Sequence, residues 1–128
     1  MSFTQALTFF CTRDLVASER FYGGTLGLTA VIRTGSAILW RITDTAFFGV
    51  TSGPGRTPAP GAAIVELCVD SAEAVQGWYD RITADRWETD GPPRHVEAGA
   101  TCFFATDPNG YLVEVLHFDD AAALRGTA

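Results

Sequence analysis

An α+β fold built from two tandem β-α-β-β-β modules is what this sequence predicts, with a cupped, mixed β-sheet cleft and the helices outside it. Three observations lead there. Thr101-Cys-Phe-Phe-Ala-Thr-Asp-Pro-Asn-Gly-Tyr-Leu-Val-Glu-Val115 has an earlier echo in Ser36-Ala-Ile-Leu-Trp-Arg-Ile-Thr-Asp-Thr-Ala-Phe-Phe-Gly-Val50. Each copy reads as an apolar run, a turn and a second apolar run. Upstream of these, Phe9 to Tyr22 aligns with Glu66 to Tyr79, so that Cys11 falls on Cys68 and Phe21-Tyr22 on Trp78-Tyr79. Two similar halves in the same order form an internal repeat.

The elements follow in sequence. Gln5 to Thr12 is rich in aromatic and β-branched residues and predicts a strand. Asp14 is placed as an N-cap, and Leu15 to about Leu26 predicts a helix that Gly27 ends. Gly23-Gly24 weakens its last turn by roughly 1 kcal/mol per glycine relative to Ala, so fraying is expected there. Leu28 to Thr34, Ser36 to Ile42 and Thr45 to Thr51 predict three strands. Ser52 to Gly61, with three prolines and three glycines, is the linker between the halves. The order then restarts with a strand over Ala62 to Val69. Asp70 or Ser71 caps a helix whose Val75, Trp78, Tyr79 and Ile82 share one face at i, i+3, i+4 and i+7. A short strand is expected at Trp87 to Thr89, a loop over Asp90 to Glu97, and strands over Ala98 to Ala105 and Tyr111 to Phe118. The chain thus reads as a single domain over 1–128. Module one covers about 4–51, the linker 52–61, module two about 62–118 and a tail 119–128.

The 128 residues are enough for one core, and 47% hydrophobic residues support one. No apolar run approaches the roughly 18 residues of a membrane span, and Met-Ser-Phe-Thr-Gln does not begin a signal peptide. A net charge of −6 argues against nucleic acid and anionic membrane as partners. Cys11, Cys68 and Cys102 are widely spaced and form no Cys-x-x-Cys cluster. They read as reduced thiols of a cytoplasmic protein.

Asp14-Leu15 with Ser18 and Phe21-Tyr22, Leu26-Gly27-Leu28, and Asp107-Pro-Asn-Gly-Tyr-Leu-Val-Glu114 together resemble the vicinal oxygen chelate superfamily. That group includes glyoxalase I, extradiol dioxygenases and bleomycin resistance proteins. The resemblance runs from about Gln5 to Phe118. It implies that a metal, where present, draws ligands from one position in the first and one in the last strand of each half. Carried over, those positions are Leu7, Gly49, Ile64 and Glu114. A divalent ion needs several converging N, O or S donors, and three of these four residues supply none. The expectation is therefore no metal and no cofactor.

Side chains alternate along a strand, so if position 7 faces the cleft, Gln5, Phe9 and Cys11 face it too. Ile64, Glu66 and Cys68 share a face, and Phe47 and Gly49 match Leu112 and Glu114. The expected ligand-binding residues are Leu7, Phe9, Phe47, Glu66, Arg94, His95 and Glu114. Two carboxylates in an apolar cleft favour a raised pKa in one of them. Alternatively, Glu66 pairs with an arginine at the sheet edge. Arg94-His95 lies in the Gly-Pro-Pro loop, either lidding the cleft or simply exposed. His117 is read as structural or exposed. Two functions compete. One is a metal-free binding protein that sequesters a small, partly aromatic ligand between the modules. The other is an enzyme of the same superfamily, an isomerase, lyase or dioxygenase-like protein using Glu114, Glu66 or His95. The resemblance also implies a homodimer.

Overall fold

A computed structural model describes residues 1–125 of the chain. Its strands form two separate four-stranded sheets. Strand β1 spans Thr8–Cys11, β2 Thr29–Arg33, β3 Ala37–Arg41 and β4 Phe47–Thr51, in the spatial order β1-β4-β3-β2. Strand β5 spans Ile64–Cys68, β6 Arg94–Val96, β7 Ala100–Thr106 and β8 Leu112–Phe118, in the order β5-β8-β7-β6. In each sheet the first strand pairs parallel to the last, and the other pairings are antiparallel. Each half is a β-α-β-β-β module, as the repeat predicts. The described residues form two compact units, 1–60 with 108–110, and 61–107 with 111–125. The main boundary falls at the end of the expected linker.

In the first unit, helix α1 (Leu15–Glu19) starts where Asp14 accepts a hydrogen bond from the Ala17 amide at 3.1 Å. It does not fray at the glycine pair. Instead it widens into a π-helical turn over Arg20–Thr25, closed by the Leu26 amide donating to the Phe21 carbonyl at 2.9 Å. Gly27, at φ 72°, then ends it. The turn buries Phe21 and Tyr22 on one face of the sheet. Tyr22 meets Trp40 and Phe48 at 5.1 and 4.9 Å between ring centres, and Phe10 meets Phe48 edge-on at 4.8 Å.

In the second unit, helix α2 (Ala72–Ala84) is capped by the Ser71 hydroxyl, which accepts from the Ala74 amide at 3.1 Å. Val75 and Ile82 are fully buried, and Tyr79 packs edge-on against Phe103 at 5.3 Å. Trp78 is only half-buried and lies beside Arg81, 5.3 Å from its guanidinium. The fourth strand differs from expectation. Trp87 to Thr89 makes a single bridge, Thr89 to Ala105. The strand itself is Arg94–Val96, inside the Gly-Pro-Pro loop. Of the expected tail, Ala122–Arg125 forms a short 3-10 turn and residues 126–128 lie outside the described residues.

The turn between β7 and β8 is held from both sides. The Asp107 carboxylate accepts from the Tyr111 amide, and the Asp107 amide donates to the Tyr111 carbonyl, each at 2.9 Å. The turn's tip, 108–110, groups with the first unit. There, Asn109 Oδ1 accepts from the Thr12 hydroxyl at 3.1 Å and the Arg13 amide at 3.2 Å. Asn109 Nδ2 donates to the Ser18 hydroxyl at 3.2 Å, and Ser18 and Thr12 are 2.8 Å apart. These three side chains close a hydrogen-bonded ring in which Thr12 and Ser18 are buried. Asn109→Ala removes the bonds to Thr12, Arg13 and Ser18, while Thr12 and Ser18 keep each other and Thr12 keeps the Asp14 backbone, so a loss of about 1 kcal/mol is expected in urea unfolding. A loss below about 0.5 kcal/mol would show that the ring does not hold the turn.

Candidate functional site

Glu114 lies at the middle of β8, and parallel pairing sets it opposite Glu66 of β5. On its other side the antiparallel register of β7 sets it opposite Phe104. Paired residues share a sheet face. Ile64, Glu66, Cys68, Cys102, Phe104, Leu112, Glu114 and Leu116 therefore line the face away from α2. Ala100, Cys102 and Leu116 form a buried apolar cluster on this face, with Val96, Phe104 and Phe118 packed against it. Glu114 borders the cluster and is only 9% exposed, whereas Glu66, on an edge strand, is exposed.

This placement sets the acid-base character of the pair. Burial pushes the Glu114 carboxyl above the ordinary carboxylate range. A hydrogen bond from the Cys102 thiol works against that, while the hydrogen bond and charge of Glu66 add to it. The positive charge of Arg94 lowers it slightly. Burial also raises the Cys102 thiol, with further contributions from Glu114. The exposed Cys68 thiol is raised by burial of its sulfur and by both carboxylates. Both shifts favour the thiol over the thiolate.

The remaining expected residues separate by face. Arg94 pairs in register with Cys102 and so belongs to the Glu114 face. Its guanidinium bonds Asp90 at 2.8 Å, and Asp90 Oδ1 also accepts from the Phe104 amide at 2.9 Å. Burial would raise Asp90, but the bonds from Arg94 and Phe104 outweigh it and hold the carboxyl low. His95 pairs with Thr101, which puts it on the opposite face from Glu114, where its Nε2 is 2.7 Å from Asp119. His117 is also on that opposite face, with Nδ1 3.0 Å from the Val69 carbonyl.

In the first unit, Leu7 precedes β1 and is exposed. Phe9 stands opposite Gly49, at the position that Glu66 and Glu114 occupy in the other module. A Cβ on Gly49 would fall 2.5 Å from the Phe9 ring and 2.6 Å from the Ile38 carbonyl oxygen. The ring thus fills the space that a side chain at 49 would need. Phe47 is half-buried and has the Arg41 guanidinium 5.1 Å from its ring centre.

Cys102 and Phe104 are contacts of Glu114 that the sequence reading missed. The signal was present, because centring the hairpin on the Asp107-Pro-Asn-Gly turn sets 104 against 114 and 102 against 116.

The residues at the four positions that the resemblance assigns to metal ligands do not fit a metal. The first unit offers an exposed leucine and a glycine covered by a phenyl ring, and the second an isoleucine and one carboxylate. Among the described residues, no three His, Cys, Asp or Glu side chains converge as a metal site requires.

The sequence model of the glyoxalase/bleomycin resistance protein/dioxygenase superfamily matches residues 4–115. The chain belongs to this superfamily. Solved structures with this superfamily's fold agree over nearly the whole chain. A glyoxalase/bleomycin resistance protein/dioxygenase from Nocardioides is 21% identical, with 92% of this chain and 85% of that one covered at a TM-score of 0.76. A glyoxalase-related enzyme from Fulvimarina pelagi is also 21% identical, over 90% and 88% of the two chains, at 0.76. The lactoylglutathione lyase of Agrobacterium tumefaciens is 19% identical over 99% and 100%, at 0.74. At these identities the likeness is one of fold. No curated protein matches the sequence significantly. Among the described residues no helix is long and apolar enough to cross a membrane.

The raised Glu114 carboxyl has a consequence for stability. Its folded-state pKa lies above its unfolded value, so the folded protein gains stability as pH falls through that raised pKa. Above it, the buried negative charge works against folding. Glu114→Gln removes the charge and keeps a donor toward Glu66. The variant is expected to melt higher than wild type at pH 8, each kcal/mol of relief raising the melting temperature by roughly 4 °C in a domain of this size. The gap should narrow as pH falls through the raised pKa and vanish once Glu114 is protonated in the unfolded chain as well. A pH-independent difference in calorimetric scans would mean that Glu114 is not the titrating group.

Proposed function

We propose that this superfamily member is a metal-free binding protein for a small, partly aromatic, cationic molecule. It would serve a sequestering role like that of the resistance branch of the family. The observation that carries the reading is the Glu66–Glu114 pair on an otherwise apolar sheet face. A cation that donates to both oxygens relieves the repulsion between the carboxyls and lets Glu114 ionise without an isolated buried charge. Phe104 beside Glu114 offers a ring for stacking or cation–π contact. The net charge of −6 favours the approach of such a ligand. Three free cysteines suit a cytoplasmic location.

Benzamidine is a suitable probe, being planar, aromatic and a bidentate donor. Glu114→Gln should weaken its binding by tenfold or more, the effect of losing a charged hydrogen bond worth roughly 1.5–3 kcal/mol. Asp107→Asn should leave affinity nearly unchanged and lower the melting temperature, because Asp107 is buried in the turn. If titration calorimetry gives the same affinity for Glu114→Gln and wild type, the cation-binding reading fails.

The raised Glu114 carboxyl also favours a second reading, in which it transfers protons with Glu66 beside it. His95 faces away from this pair and would not join it. Under that reading a ligand found by screening would be converted on incubation, whereas a sequestering protein returns it unchanged.

We also propose a homodimer. Strands β1 and β5 are edge strands of their sheets, and they leave Phe9 and Ile64 exposed, with Leu7 just before β1. Covering them with a second copy is the commonest closed solution. Sedimentation at micromolar concentration should give twice the mass of the chain, and a monomer there removes the claim.

A further inference from the structure

The outer face of helix α2 carries features that packing within the chain does not account for. Each residue turns an α-helix by about 100°, so Gly77 lies almost opposite the Val75, Tyr79 and Ile82 face that packs on the sheet. Glu73, Gly77 and Arg81 follow at i, i+4 and i+8 along that outward ridge, and all three are exposed. On its flank, Ala74, Gly77, Trp78 and Arg81 line an open groove of about 280 Å³. A glycine in mid-helix lowers stability. Yet φ at 77 is not in the left-handed region, and a Cβ there would meet no atom within 4 Å. Neither the backbone nor the packing of this chain requires glycine at that position. The half-buried Trp78 ring, with the Arg81 guanidinium 5.3 Å away, gives the groove an aromatic wall. Glu73 forms no ion pair among the described residues.

We propose that this face binds the same face of a second copy, with the two α2 helices antiparallel about a two-fold axis near Gly77. Residues equally spaced on either side of 77 then face one another, so Arg81 of each copy meets Glu73 of the other. Parallel helices would instead set Glu73 against Glu73 and Arg81 against Arg81. The antiparallel arrangement also brings opposite ends of the two helix dipoles together. Asp80, whose carboxylate accepts from the Gln76 amide at 2.9 Å, falls opposite Ala74. Glycine at the crossing point lets the backbones approach, and each Trp78 ring lies along the groove of the other copy. A guanidinium stacked on a ring pairs with carboxylates through its in-plane N–H groups. Helix α2 is only about 20 Å long, so the contact is short and the association weak. The surface goes beyond the function proposed above. It lies on the helical side of the second sheet, away from Glu66 and Glu114, and uses neither exposed edge strand.

Sedimentation equilibrium from micromolar to about 1 mM chain tests this. The wild-type mass should double over that range, whether it starts from one chain or from the edge-strand dimer, so the two assembly claims fail separately. Gly77→Leu should hold the mass at its micromolar value. It should melt no lower than wild type at that dilution, because leucine is the better helix former and has open space there. Arg81→Glu should weaken the association by at least about tenfold, through like charges set side by side. Adding Glu73→Arg to it reverses both signs and should restore the doubling. A wild-type mass that stays flat over the whole range would assign the face to a different partner and overturn the proposal. Undiminished doubling in Gly77→Leu would also overturn it, as would a double variant that associates no better than Arg81→Glu.

Discussion

Parallel pairing of the first and last strand of each module governs what the open faces of both sheets can do. Neighbouring strands lie roughly 4.8 Å apart, so residues in register are forced into side-by-side contact on one face. In the second module that constraint joins Glu66 to Glu114. In the first it joins Phe9 to Gly49. Two carboxyls at that spacing resist double ionisation, and the more buried one keeps its proton longer. A phenyl ring and a glycine instead make a flat apolar floor. The modules repeat the same backbone with unlike chemistry at its central position.

Each pair is positioned by elements that contribute nothing to ligand contact. The Asp107–Tyr111 bonds fix where β8 begins, and one residue of slippage would turn Glu114 into the α2 core. On the opposite side of β7, Asp90 ties Arg94 to the Phe104 amide and holds the short strand β6 in place. Underneath, Val75 and Ile82 of α2 pack on the buried face of the sheet, whose Phe103, Ala105 and Val113 are fully enclosed. A carboxyl's pKa depends on how completely water is kept from it, so this rigidity underlies the acid-base behaviour of Glu114 as well as the fold.

Sequence patterning carried far toward this arrangement because most of it is local. Caps at Asp14 and Ser71, the stop at Gly27 and the helical spacing of Val75 and Ile82 are short-range signals, and each appears in the structure. The repeat also set Glu66 and Glu114 on one face. What escaped is tertiary. Arg94–Val96 has two prolines before it and only three residues, so nothing local marks it as a strand; its order comes from β7 and Asp90. Arg94 and His95 read together as one pair in a loop that could lid the cleft, but they lie on a strand, whose adjacent residues face opposite ways. The wide turn at Arg20–Thr25 was misread as fraying, because a glycine pair signals weak α-helix without signalling what replaces it. The Glu114 shift arises first from burial, with Glu66 adding to it, and how deeply position 114 is buried depends on the hairpin register.

The same register explains why the first module is unsuited to a carboxylate at position 49. Phe9 alone would be a soft obstacle, since a ring at an exposed edge can turn aside. The Ile38 carbonyl oxygen is not soft. It belongs to β3, the antiparallel neighbour of β4, and would lie 2.6 Å from a Cβ at 49. That contact is shorter than real Cβ atoms tolerate, and removing the Phe9 ring does not relieve it. Any side chain at 49 therefore requires β3 and β4 to move apart locally, against Leu39, Trp40 and Phe48 packed around them. Gly49 and Phe9 form one structural solution in which the missing Cβ and the flattened ring depend on each other. A donor set at this end of the sheet would need the strand geometry to change before the residues could.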